Sequence, residues 1–244
     1  MSGQGAPPGH ELVVAGDDAE LAELAAARMA EELAAAVAAR GIAHVALSGG
    51  STPGGAYRLL ARRGSALARV VWWWVDERCV PPGDPRSNYG AARAQLLEPA
   101  AIEDDHVHRM AGDLGAEAGA RDYAARLATA FGGAEPPVLD LVIAGVGNDG
   151  HTASLFPGTG AVRRDDATVI AVHPGGGLEP RVTLAAPVLL AARRTLVLAS
   201  GESKRAPLLA AWAPGDPDEI PARLYQRSPR VTWMVDQRAV PLDR

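Results

Sequence analysis

The 244-residue chain has a single cysteine, Cys79, and a single lysine, Lys204. A lone cysteine excludes an internal disulfide and any multi-cysteine metal site, and it suits a reducing compartment. Long apolar runs are missing too: no stretch of about 18 residues is free of charge, so no membrane-crossing helix is expected. The opening MSGQGAPPGHELVVAG has neither the basic stretch nor the apolar segment of a secretory leader. There is no basic excess: 24 Lys and Arg against 29 Asp and Glu give a formal charge of −5, which offers nucleic acid no general attraction. The expectation is a cytoplasmic protein with neither a nucleic-acid nor a membrane partner. No H-E-x-x-H occurs. His106 and His108 form an H-x-H pair with no obvious third ligand and read as surface, so no metal is expected.

What is present is a chain with 48% hydrophobic residues, enough for a sizeable core. No internal repeat, low-complexity linker or composition break divides it, so residues 1–244 read as one domain. Short β-rich runs at 11–15, 44–47, 70–75, 139–144, 168–172, 195–199 and 231–235 alternate with helical patterns. That alternation predicts an α/β fold with an open, mostly parallel sheet and helices on both faces. The triple tryptophan at 72–74 reads as strand core. Between the first two runs, Asp17-x-x-Glu20 opens a long helix that carries Leu21, Leu24, Met29, Leu33 and Val37 toward one side and closes at Gly41. Ligands of such sheets bind beyond the carboxyl ends of the strands, so the loops that follow strands carry the functional argument.

The loop GVGNDGHTASLFPG, residues 145–158, contains G-x-G-x-x-G directly after a strand, which on spacing alone is a dinucleotide fingerprint. A pyrophosphate needs a long helix beyond the last glycine, whereas Pro157 and Gly158 stop any helix here after about two turns. Asp149 would also repel the phosphates, and Asp165 and Asp166 are poor candidates for the ribose carboxylate. No nucleotide cofactor is expected. Instead, the glycine turn presents an acid and an imidazole, Asp149 and His151.

Three other loops carry polar chemistry. In SGGSTPGG, Ser48, Gly49, Gly50, Ser51 and Thr52 precede a helix start, where freed backbone N–H groups and hydroxyls suit a phosphate. In VDERCVPPGDPRSN, Asp76, Glu77 and Arg78 leave a strand together, and Asn88 follows at the next helix. In SGESKR stands Lys204, the one compact ammonium in a chain with 23 arginines, a point charge for a phosphate oxygen. Arg181, in EPRVTL, is a second candidate clamp.

Together SGGSTP at 48–53, WVDER at 74–78 with SNYG at 87–90, GVGNDGHTASLFPG at 145–158, RVT at 181–183 and SGESK at 200–204 look like the 6-phosphogluconolactonase family. The match runs in order over most of the chain. Asn148 departs from the pattern, which usually has proline there. The resemblance implies a Rossmann-like sheet of the sugar-phosphate isomerase type and hydrolysis of the ring ester of 6-phosphoglucono-1,5-lactone in the oxidative pentose phosphate pathway, without cofactor. It implies His151 as general base, since imidazole titrates near the operating pH, with Asp149 orienting the ring or stabilising its protonated form. Arg78 or backbone N–H groups would stabilise the carbonyl oxygen. Ser48, Gly49, Gly50, Ser51, Thr52, Asp76, Asn88, Arg181 and Lys204 would bind substrate. Should His151 not be the base, Glu77 or Asp76 is next. A monomer or weak homo-oligomer is expected. Two alternatives stand beside this reading. One is an amino-sugar-phosphate deaminase or isomerase; the deaminase of the wider superfamily would carry an acid five residues after the histidine, where this chain has Phe156. The other is a catalytically silent sugar-phosphate sensor.

Overall fold

The computed structural model describes residues 6–240; residues 1–5 and 241–244, assigned above to the same domain, lie outside the described residues. Its strands are β1 (Glu11–Ala15), β2 (Ala43–Leu47), β3 (Val70–Trp74), β4 (Asp76–Arg78), β5 (Leu141–Gly145), β6 (Val169–Val172), β7 (Arg181–Leu184), β8 (Thr195–Ala199) and β9 (Val231–Asp236). The main helices are α1 (Asp18–Arg40), α2 (Ser51–Leu60), α3 (Asn88–Ala92), α4 (Ala116–Ala130), α5 (Ala186–Ala191) and α6 (Arg205–Trp212).

Six strands form a parallel sheet in the order β1-β9-β8-β5-β2-β3, so the expected α/β class holds. From β2 the chain moves outward to β3, then returns to place β5 on the other side of β2. The strand order therefore reverses between β2 and β5, and the loops leaving their carboxyl ends diverge around a crevice, the usual ligand position of such sheets. One expectation needs correction. The run at 168–172 does not join the main sheet; it forms β6 of a separate antiparallel sheet, β4-β7-β6, whose other strands were not anticipated. Val75 couples the two sheets: its N–H donates to Leu47 O at 2.9 Å, and its carbonyl accepts from Leu184 N–H at 2.8 Å.

Local chemistry sets the elements. Asp17 caps α1 by accepting from Glu20 N–H at 2.9 Å, and Glu20 accepts in turn from Gly16 N–H at 2.6 Å. Gly41, at φ 81°, closes the helix with an N–H bond to Val37 O. The buried stripe is Leu21, Ala25, Met29, Leu33 and Ala36, whereas Leu24 is exposed and Val37 only half-buried. Small alanines, not the larger Leu24, let α1 lie close to α2 and the sheet. Trp72, Trp73 and Trp74 on β3 are fully buried, as expected of core. Each removes apolar surface worth about 4–6 kcal/mol from water. His108 is not the plain surface residue expected: its ring stacks on Trp73 at 4.2 Å, and its N–H donates to Trp72 O, covering the β3 edge. Among the described residues no helix is long and apolar enough to cross a membrane.

Candidate active site

An open cleft of about 590 Å³ lies at the carboxyl ends of β2 and β5, lined by the loops after β2, β3, β5 and β8. The loop after β5 is built on a tight turn. Gly150 N–H donates to Gly147 O at 3.0 Å, Gly147 N–H donates to His151 O at 2.8 Å, and Gly150 sits at φ 84°. A side chain on Gly147 would collide with the imidazole of His151 and approach Asp149 Oδ1 to 2.7 Å, so this glycine makes room for the pair.

No helix follows. The two turns expected before Pro157 are absent because tertiary partners take the backbone. Ala153 adopts φ 49°, Thr152 bridges to Leu155, Ser154 N–H donates to Thr183 Oγ1, and Thr152 Oγ1 donates to Gly145 O at 2.9 Å. Burial of Leu155 and Phe156 in the core outweighs the local helical preference of TASL.

Asp149 and His151 meet as the sequence suggested. Asp149 Oδ1 accepts from His151 N–H at 3.1 Å and lies 2.6 Å from His151 Nδ1. Burial pushes the Asp149 carboxyl up, but the His151 backbone N–H, the imidazole charge and the ring contact outweigh it and leave it below the ordinary carboxylate value. An ionised carboxylate only accepts, so Nδ1 carries the proton and the lone pair of neutral His151 falls on Nε2. Phe156 packs on the imidazole at 4.7 Å. Among the described residues no three His, Cys, Asp or Glu side chains converge to hold a metal ion.

From β2, Ser48, Gly49 and Gly50 line the cleft. Tyr57 pins the first of these: its hydroxyl accepts from Ser48 N–H and donates to Ser48 O. Ser48 Oγ is buried without a partner. A side chain on Gly49 would strike the Asn88 carboxamide, and Gly50, at φ 114°, is the residue before α2. Ser51 and Thr52 form the first turn of α2 and do not line the cleft, so what the helix start offers there is backbone N–H groups.

From β4, Asp76 and Arg78 reach the cleft. Asp76 accepts from Ser154 Oγ at 2.6 Å and from Asn88 Nδ2 at 3.2 Å, tying three loops together. Arg78 Nη1 donates to Arg86 O at 2.6 Å, while its Nε is buried without a partner. Glu77 turns away as a structural acceptor, taking the N–H groups of Arg78, Asn88 and Tyr89 and the Ser87 hydroxyl. Burial nevertheless holds its carboxyl above the usual range. With its oxygens engaged, Glu77 is a poor base. Arg181, expected as a clamp, is buried and absent from the cleft lining; it pairs in register with Arg78 across β4 and β7.

Lys204 arrives from the loop after β8, which Asp236 fixes by accepting from Ser200 Oγ and Gly201 N–H. Lys204 Nζ lines the cleft and donates to Asn148 Oδ1 at 2.7 Å. Burial pushes the ammonium below its ordinary value, and Asp149 opposes the shift. The cleft thus holds a base with an oriented lone pair, two cations and the backbone of two glycine loops. The Asn148–Lys204 contact escaped the sequence reading, because it joins residues 56 apart. Ser154 was also missed, although it stands inside the GVGNDGHTASLFPG stretch.

The chain matches the family described as glucosamine-6-phosphate isomerases/6-phosphogluconolactonase over residues 16–243. A 6-phosphogluconolactonase of Streptomyces coelicolor is 37% identical over 242 residues, covering 94% of this chain and 93% of the relative. A 6-phosphogluconolactonase of Homo sapiens is 38% identical over 231 residues, covering 92% and 88%. The solved 6-phosphogluconolactonase from Trypanosoma cruzi superposes with a TM-score of 0.85 at 30% identity, covering 94% of this chain and 95% of that one.

Proposed function

The chain belongs to the glucosamine-6-phosphate isomerase/6-phosphogluconolactonase family, and on that premise we propose how its cleft carries out the family's lactone chemistry. The protein is a lactone hydrolase that converts 6-phospho-D-glucono-1,5-lactone to 6-phospho-D-gluconate in the oxidative pentose phosphate pathway. The observation that carries the mechanism is the Asp149–His151 pair, 2.6 Å apart, in one cleft with Lys204.

His151 Nε2 takes a proton from water as its oxygen bonds to the lactone carbonyl carbon. Asp149 stabilises the imidazolium that forms. Arg78, or the backbone N–H groups of the glycine loops, holds the carbonyl oxygen as it gains charge. The bond from that carbon to the ring oxygen then breaks, and the imidazolium returns its proton to the leaving oxygen, so no net proton stays on the enzyme. Lactones hydrolyse unaided, so a general-base gain of about a hundredfold or more, combined with positioning, suffices. The phosphate sits between Lys204, the Ser48 hydroxyl and the N–H groups of Gly49, Gly50 and the start of α2. Arg181 adds positive potential behind Arg78. Asp76 and Asn88 hold the loops and face the sugar hydroxyls.

The enzyme works without a cofactor, as one domain, in the cytoplasm, as a monomer or weak homo-oligomer. The deaminase reading is disfavoured because Phe156, an apolar ring against His151, stands where the assisting acid is needed. The test is proton release from freshly made phosphogluconolactone, followed beside its spontaneous hydrolysis, with glucosamine 6-phosphate as a parallel substrate. Rapid acid release without ammonia is expected. Ammonia release, or phosphogluconate binding with no turnover, would replace the reading.

A further inference from the structure

Lys204 is held by a neutral partner although a carboxylate is close by. Its Nζ donates to Asn148 Oδ1 at 2.7 Å, while Asp149, the next residue, lines the same cleft as the ammonium. Opposite unit charges attract more strongly than a charge and a neutral amide, so the amide contact reflects geometry imposed by the turn. Asn148 is the first central residue of the turn closed by Gly150 N–H and Gly147 O, a position compatible with most residues and favoured by proline. It is exposed, and the turn's own hydrogen bonds do not use its side chain. Its carboxamide therefore serves Lys204, not the fold. The charged groups lining the cleft around it are Asp76, Arg78, Asp149, His151 and Lys204.

We propose that Asn148 is a positioning residue whose carboxamide oxygen holds the Lys204 ammonium over the cleft and apart from Asp149, keeping the phosphate-binding cation separate from the acid–base pair. An amide partner leaves the full positive charge on Lys204 and two of its three N–H donors for phosphate. If Lys204 swung onto Asp149, the cation would be neutralised, and the carboxylate would be shared between an ammonium and the imidazole. The proposal rests on the reading of Lys204 as phosphate clamp.

The test compares Asn148→Pro, which suits the turn but removes the acceptor, Asn148→Asp, and Lys204→Ala. Values of kcat and KM are measured on 6-phosphogluconolactone and on plain gluconolactone, together with the pH profile of kcat. Freeing a lysine side chain costs it one held rotamer, so Asn148→Pro should raise KM for the phosphorylated lactone about threefold to tenfold and leave KM for the plain one unchanged. Its kcat profile should also move to lower pH, because an ammonium on Asp149 weakens that carboxylate's hold on the imidazolium. Asn148→Asp should raise KM further, since a carboxylate competes with phosphate for Lys204. Asn148→Ala repeats the test without proline's constraint, and a melting temperature within a few degrees of the parent checks the fold. If Lys204→Ala loses the phosphorylated substrate selectively while Asn148→Pro and Asn148→Ala change neither KM nor the pH profile, the proposal is wrong and the clamp reading stands. If Lys204→Ala affects both lactones equally, the clamp reading falls and the role of Asn148 falls with it.

Discussion

At the amino ends of β2, β5 and β8, cations meet carboxylates. Arg40 and Arg193 reach the buried Asp140 at 2.8 and 3.4 Å, Asp140 also accepts from His44 N–H at 2.8 Å, and Arg194 faces Glu32 at 3.7 Å. At the carboxyl ends of the same strands Lys204 meets an amide and Ser48 Oγ is buried with no partner, and Arg78, from β4, faces the same cleft. Both ends place charge against a low-dielectric sheet, but the first closes its cations in ion pairs. The difference separates two uses of the same side-chain chemistry: at one end ion pairs fasten helices to strands, while at the other the cations line the cleft.

The contrast is sharpest at His151. His151→Ala should lower turnover by about two to four orders of magnitude, while melting temperature and 6-phosphogluconate binding stay near the parent's, as read by steady-state kinetics, calorimetry and titration. Retained turnover well above background would move the base elsewhere. Lys204→Ala should reduce kcat/KM on the phosphorylated lactone about tenfold to a hundredfold, with little change on plain gluconolactone, because a charge-assisted bond is worth roughly 1.5–3 kcal/mol. Gly147→Ala should cost about tenfold in kcat without loss of stability, since the added methyl displaces the tip of a side chain and not backbone. At the opposite end the pattern inverts. Asp140→Ala should leave kcat and KM unchanged and lower Tm by about 3–10 °C, because it strands a backbone N–H and two guanidinium groups. A loss of activity there with unchanged Tm would collapse the distinction between the two ends. The smallest expected effect is none: dialysis against a chelator, with no nucleotide added, should leave the rate as it was.

Much of this division could be read from sequence, because parallel strands and glycine turns are local signals. The seven strands read from composition all exist, and the Asp17 cap and Gly41 stop of α1 lie where their chemistry puts them. What was not legible depends on distant partners. β4 and β7 are three and four residues long, too short to show a period, and they exist because they pair with each other across more than a hundred residues. The missing helix after Gly150 has the same cause, since Thr183 and the core claim Ser154, Leu155 and Phe156. In the site, Asp149 and His151 were visible because two residues on one turn must be neighbours. Arg181 was placed by its charge alone, and only the fold reveals that its strand buries it behind Arg78.

The central claim is that neutral His151, oriented by Asp149, takes the proton from water, and the pH dependence of kcat tests it most directly. Only the deprotonated imidazole accepts a proton, so the catalysed rate should rise with pH as that group loses its proton and then level off. The Asp149 carboxyl lies below its ordinary value, so it is already ionised where the rate rises and the rise belongs to the imidazole. In Asp149→Asn the imidazolium loses its stabilising neighbour, and the rising limb should move to lower pH with a smaller loss of rate than in His151→Ala. A profile that is flat from pH 5 to 8, or one that Asp149→Asn leaves where it was, would contradict the account.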